Sequence, residues 1–166
     1  MTPLPPPLGN GEIRLWRIDQ ERHYRDWASG EGAFRVGGRW NTAGVRVVYA
    51  SLDPATACLE VAVHKGFEVL DRAPHYLTSA RIDPGRVQVI GPEDIPNPNW
   101  LTPAPPSRNQ QRFGNDLLRA HGCIVIPSAV SRHSWNLIFD AALAEALCRD
   151  VTQERFALDP RLQVPA

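Results

Sequence analysis

The sequence predicts a single mixed α/β domain, of the α+β kind, in which strands outnumber helices. Three observations carry that reading. The chain has 166 residues and 43% hydrophobic side chains, which suits one folded unit with a real core. Several short runs concentrate β-branched and aromatic residues, and only a few segments are bounded by helix-capping residues. Positions 2–8 hold four prolines, so 1–12 reads as an extended proline-rich lead-in and 13–166 as the folded domain. From Ile13 to Ile18 the order IRLWRI alternates loosely and predicts a strand, with Leu15 and Trp16 seeking the core. The stretch Ser29 to Gly44 contains five glycines and reads as loop with at most one short strand. Val45 to Ser51, VRVVYAS, predicts a buried strand.

The helix that follows has the clearest boundaries. Asp53 is a capping residue, Pro54 suits the first helical position, Ala55 to Lys65 propagates the helix, and Gly66 ends it. Tyr76 to Ile82 and Arg86 to Ile90 read as strands around the turn Asp83-Pro84-Gly85. Gly91 to Ser107 holds six prolines and predicts a rigid surface crossing rather than a regular element. Asn109 to His121 reads as helix with Gly122 as its stop, and Cys123 to Pro127 and Trp135 to Phe139 as strands. Asp140 to Leu147 is rich in helix formers, and Arg155 to Leu158 adds an edge strand. No repeat period is present.

Charge and composition narrow the function classes. Eighteen basic residues balance eighteen acidic ones, so nothing supports a nucleic-acid grip built on bulk positive charge. No apolar run reaches the length of a membrane span, and the first residues lack the basic and apolar regions of a secretory signal, which points to the cytoplasm. Cys58, Cys123 and Cys148 are widely spaced, form no C-x-x-C pair, and read as reduced core thiols. Of the basic residues only Lys65 is a lysine. Arginine suits phosphate and carboxylate ligands, but codon usage in a GC-rich genome produces the same bias, so composition names no ligand.

Chemistry concentrates at four places. Glu60 is a lone carboxylate on an apolar helix, PATACLEVAVHK, which predicts a largely buried helix whose acid either pairs with an arginine or lines a pocket. His64 shares its face one turn on, a weak two-ligand metal pattern with no supporting third or fourth ligand. The loop GGRWN, Gly37 to Asn41, offers close backbone approach at its glycines and a forked donor at Arg39, beside Trp40 and Asn41. A tight turn with an exposed arginine explains the same residues. Neither a dinucleotide fingerprint nor a P-loop is present. Tyr49 lies on the same strand face as Val45, Val47 and Ser51, and reads as a core tyrosine. Ser128 follows a short strand and lacks a nucleophile elbow.

The order and spacing of these segments resemble the RES-domain family of bacterial proteins. The resemblance runs from about Arg14 to Leu158, through RLWRI, GAFRVGGRWNTAGVRVVYAS, PATACLEVAVH and IPSAV. It implies a fold like that of ADP-ribosyltransferases and a toxin of a toxin–antitoxin pair that consumes NAD as glycohydrolase or phosphorylase, or else as a protein ADP-ribosyltransferase. It implies an Xre-like antitoxin with a helix-turn-helix that blocks the active site, and admits a homodimer within that complex. NAD is then substrate rather than resident cofactor, and no metal, nucleic acid or membrane is required. The family's name-giving residues fall on Arg39, Glu60 and Ser128. With Tyr49 these would line the NAD pocket, and Gly38, Trp40 and Asn41 would join the substrate contacts. Asn136-Leu137-Ile138 is followed by Phe139-Asp140-Ala141, which departs from the family's usual continuation, so no contacts are carried over from that stretch.

The residues suit such chemistry. Nicotinamide leaves its ribose as a neutral ring, so the developing ribosyl cation is what needs help, and Glu60 is the carboxylate on a rigid element. Arg39 is expected to orient Glu60 or clamp the pyrophosphate, Tyr49 to stack on nicotinamide, and Ser128 to bond phosphate or ribose. The acceptor is left open among water, phosphate and a protein side chain. A non-enzymatic interaction module, with Glu60 as a structural ion-pair partner, is the competing class.

Overall fold

Side-chain alternation along the strands decides where the core sits. In a computed structural model, which describes residues 13–159, the strands are β1 (Ile13–Gln20), β2 (Val47–Ser51), β3 (His75–Ile82), β4 (Gln88–Val89), β5 (Cys123–Pro127), β6 (Trp135–Asp140) and β7 (Cys148–Phe156). They form one seven-stranded sheet in the order β4-β5-β6-β2-β1-β3-β7, antiparallel except between β4 and β5. The helices are α1 (Glu31–Val36), α2 (Pro54–Lys65), α3 (Phe67–Arg72), α4 (Arg108–His121) and α5 (Ala144–Leu147). Strands outnumber helices in one mixed domain, as the sequence predicts. The proline-rich lead-in lies outside the described residues.

One face of the sheet carries a continuous apolar cluster that includes Leu15, Val48, Ala50, Val125, Leu137 and Phe139. The period of two sends the intervening residues to the other face, where the apolar layer is divided. Val47, Ile124, Ile126 and Ile138 pack there with Trp40, Trp100 and Leu118, while Ile18 and Leu77 pack with Ala57 and Leu70. The division has a cause in the ladders. β1 and β3 pair along their whole length from Ile13↔Ile82 to Gln20↔His75, but β1 and β2 meet at the single pair Trp16↔Ser51. The sheet therefore branches at Ser51, and the gap between the two clusters lies over the branch.

Helix α2 spans that gap. Asp53 caps it by accepting from the Thr56 N–H at 2.8 Å, and the Gly66 N–H donates to the Ala62 carbonyl at 2.7 Å, so its boundaries follow the capping signals. Its burial does not follow the composition. Only Thr56, Ala57 and Ala62 are buried, while Leu59 is 37% and Val63 63% exposed. A helix laid over a branch touches strands through its small residues and leaves one apolar flank uncovered.

Other departures have local causes. The glycine-punctuated stretch contains α1, held by an i,i+4 ion pair of 2.7 Å between Glu31 and Arg35 and by Arg46 on the same carboxylate. Helix α3 likewise carries the pair Glu68–Arg72. Both are six residues long, below the length at which an apolar period is readable. β4 keeps two residues of the expected Arg86 to Ile90 strand because Pro84–Arg86 forms a 3-10 turn. β7 covers nine residues rather than four, since its ladder to β3 relies on backbone pairing and leaves most side chains exposed. The proline-rich crossing is only partly a surface segment: it contains a 3-10 turn at Pro92–Asp94 and buries Ile95 and Trp100. Residues 141–147 form a 3-10 turn and then α5.

All three cysteines are free thiols, and burial pushes the Cys123 thiol up to about 12 and Cys148 to about 11. Among the described residues no helix is long and apolar enough to cross a membrane.

Gly114 lets α4 approach the glycine loop closely. A methyl group there would lie 2.0 Å from the Trp40 carbonyl oxygen, so α4 rests directly on the backbone of the glycine loop. Gly114→Ala is expected to destabilise the protein by about 2 kcal/mol or more through this backbone clash. Urea unfolding measures it, and an alanine variant of unchanged midpoint would show that the contact is not close.

Candidate active site

The branch of the sheet opens into a cleft with two chambers. The larger, of about 620 Å³, lies between the glycine loop, α2 and the proline-rich segment Ala104-Pro105-Pro106. The smaller, of about 220 Å³, lies between β1 and α2. Tyr49, Glu60, His64 and Asn136 border both.

Glu60 is half-buried and is held by neutral groups. Its Oε1 accepts from the Ser128 hydroxyl at 2.9 Å and from the Asn136 side-chain amide at 2.6 Å. Oε2 has no hydrogen-bond partner among the described residues. No described guanidinium pairs with Glu60, so the expected arginine partner is absent. The arginines that line the chambers are engaged elsewhere. Arg39 donates from Nη1 to the Trp100 carbonyl at 2.7 Å and so ties the glycine loop to the proline-rich crossing. Arg17 grips Asp19 through Nε and Nη2 and donates from Nη1 to the Tyr49 carbonyl at 2.7 Å, bridging strands that no longer form a ladder.

Ser128 is fully buried just past the end of β5. Its Oγ accepts the N–H groups of Val130 at 3.1 Å and Ser131 at 3.0 Å, which directs its proton to Glu60. The structure thus places Ser128 behind the carboxylate rather than on the cleft surface. Asn41 is also fully buried. Its Nδ2 donates to the Ala33, Thr42 and Val45 carbonyls, and its Oδ1 accepts from the Tyr49 hydroxyl at 2.7 Å. The Tyr49 oxygen accepts in turn from the Trp40 N–H at 3.0 Å. Burial pushes the Tyr49 phenol well above the ordinary tyrosine range. The Trp40 ring packs against Trp100 and Phe113, and the close approach at Gly38 serves Tyr49: a methyl group there would lie 2.6 Å from the phenol oxygen.

Arg39, Tyr49 and Glu60 are therefore gathered around one cleft, with Gly38 and Trp40 in its wall and Asn41 and Ser128 as buried supports. His64 borders both chambers near Glu60, but among the described residues no group of three His, Cys, Asp or Glu side chains is spaced for a metal. Three residues of the site were not singled out from the sequence: Asn136, Ser51 and Arg17. Two had a signal: Asn136 is the polar residue that alternates with Ile138 on the divided face, and Ser51 shares a face with Tyr49. Arg17 had none, because β1 carries Arg14 and Asp19 as well.

Fold and site together define a mixed-sheet protein with a carboxylate-centred cleft at a strand branch. A profile of the RES domain matches residues 14–159, and the chain belongs to that family. It is 32% identical over 152 residues to a protein named Toxin Res from Pseudomonas putida, covering 89% of this chain and 98% of that protein. It is 30% identical over 159 residues to a Prs ADP-ribosylating toxin from Sphingobium, covering 89% and 95%. Its fold is similar to a chain in the crystal structure of the M. tuberculosis MbcT–MbcA toxin–antitoxin complex, with a TM-score of 0.66, 18% identity, and coverage of 88% and 85%.

Tyr49→Phe removes one hydroxyl that serves two buried partners. It is expected to destabilise the protein by roughly 1–3 kcal/mol in chemical unfolding, because the Trp40 N–H and Asn41 Oδ1 are left unpaired. Since folding raises this phenol's pKa, its stabilising contribution is complete below the ordinary tyrosine range and declines as pH rises above it. Absorbance titration of the native protein should show one tyrosine that stays protonated past that range. A resistant tyrosine that persists in the phenylalanine variant contradicts the assignment.

Proposed function

We propose that this protein is the toxin of a toxin–antitoxin pair and that it acts by cleaving the bond between nicotinamide and ribose in NAD. The observation that carries the reading is Glu60, a carboxylate fixed by two neutral donors at the junction of two chambers. An arginine partner would cancel its field, whereas an amide and a hydroxyl position it and leave its charge to act on an incoming cation. In the reaction the C1′–N bond breaks, nicotinamide departs with the bonding electrons as a neutral ring, and positive charge develops on the ribose beside Glu60. An acceptor then bonds to C1′ and, where it is water, releases its proton.

Other residues take roles that their surroundings permit. Arg39 spends one N–H on the Trp100 carbonyl, and a guanidinium has five, so its remaining edge is available to the pyrophosphate in the larger chamber. The Tyr49 hydroxyl is fully engaged, which leaves its ring as the surface offered to a planar base. Ser128 acts through Glu60 rather than on phosphate or ribose. The names of the relatives support toxicity, and the complex of the similar fold supports an antitoxin partner, here one with a helix-turn-helix of the Xre type that covers the cleft. Transfer of ADP-ribose to a protein side chain is the second reading, favoured by the relative named as an ADP-ribosylating toxin.

Purified protein incubated with NAD, with and without phosphate, should release nicotinamide. The mass of the other product distinguishes hydrolysis, phosphorolysis and attachment to protein, and the absence of nicotinamide rejects NAD cleavage altogether. Glu60→Gln should lower release by ~10²-fold or more while the unfolding temperature holds. An active glutamine variant would remove Glu60 from the chemistry.

A further inference from the structure

Ser51 occupies the position where three strands meet. It is the ladder partner of Trp16 on β1 and of Asn136 on β6, and it is the one place where β1 and β2 pair. Its side chain is buried, and its Oγ donates to Asn136 Oδ1 at 3.0 Å. An asparagine amide is nearly symmetric in shape, and a flip exchanges its acceptor for its donor. The bond from Ser51 fills the oxygen side, so Nδ2 faces Glu60 and donates to Oε1. Among the described residues only Ser51 and Glu60 bond to the Asn136 side chain. Both supports of the carboxylate are thus fixed from behind, Ser128 by two backbone N–H groups and Asn136 by one hydroxyl.

We infer that Ser51 is a positioning residue for the candidate carboxylate: it locks the Asn136 amide in the orientation that offers Glu60 a donor. Without the hydroxyl the amide is free to flip, two oxygens then confront each other, and Glu60 turns away from the point where the ribosyl charge develops. Ser51 also lines the smaller chamber, so direct contact with substrate is the rival role. The two roles differ in what they change. Positioning alters turnover, and contact with substrate alters affinity.

The test uses the full chain, with kinetics of nicotinamide release and the side-chain amide spectrum of 15N-labelled protein. Its kinetic arm rests on the NAD reading, whereas its spectral arm does not. Ser51→Ala is expected to lower kcat about tenfold or more, with KM for NAD essentially unchanged, since small misplacements of a reacting group are costly. The Asn136 amide protons should exchange with solvent faster in that variant than in the wild type. Ser51→Thr, which keeps the hydroxyl, should restore slow exchange and most of the turnover. Ser51→Ala added to Asn136→Ala should lower kcat no further, because the hydroxyl acts only through the amide.

A raised KM with intact kcat, additive losses in the double variant, or unchanged amide exchange in Ser51→Ala overturns the inference. If the wild type releases no nicotinamide, the NAD reading fails while the amide spectra still decide whether the lock exists.

Discussion

A carboxylate in a partly dry cleft needs hydrogen-bond donors, and the identity of those donors decides what it can do. Glu60 takes a hydroxyl and an amide, both neutral, one held by loop N–H groups just past β5 and the other carried on β6. Desolvation is offset by short hydrogen bonds rather than by an opposing charge, so the negative field survives inside the cleft. The nearby guanidiniums are kept off the acid by better-placed acceptors. Arg17 has Asp19 and the Tyr49 carbonyl, and Arg39 has the Trp100 carbonyl. The arginines that line the cleft are thus satisfied by other acceptors, and Glu60 keeps neutral donors only.

The architecture that makes this possible is a sheet that stops being continuous. Where β1 parts from β2, the backbone groups lose their ladder partners, and a guanidinium takes over part of their bonding. The apolar layer above splits into two clusters, and the polar residues Tyr49, Ser51 and Asn136 lie on the divided face between them. A cleft formed in this way has a rigid floor because its floor is strand. Its walls are less regular: a short helix with two glycines following it, and a proline-rich crossing that owes its placement to Ile95 and Trp100 beneath it.

Much of this was readable from the chain. Asp53, Pro54 and Gly66 mark the limits of α2 because capping is a local hydrogen-bond problem with few solutions. The strands Val47–Ser51 and Cys123–Pro127 are readable because buried β-structure concentrates branched side chains. Glu60 and the glycine loop stand out chemically, and the family pattern joins them. What was not readable depends on long-range geometry. An apolar helix looks buried in composition, but Leu59 and Val63 stay exposed, Val63 on the larger chamber, because a branch, not a continuous layer, lies beneath. Asn41 looks like a ligand contact beside Arg39 yet closes a buried network, since no one-dimensional pattern reveals that three carbonyls converge on its amide. Asn136 is not legible as a site residue because the residues after it depart from the family pattern, although its own strand register brings it to the acid.

The outermost strand, β7, has a bearing on how the molecule behaves in a crowded solution. Nine residues, seven of them exposed, with an edge that no other described strand pairs are a template on which another chain can add itself. Here that edge is studded with Arg149, Asp150, Glu154 and Arg155, and it is kinked at Asp150, whose φ is 49° and whose carboxylate reaches Arg81 at 2.8 Å. Mixed charge and a local bend make the strand a poor match for a copy of itself. Edge-to-edge addition of another chain is thereby disfavoured at this border of the sheet.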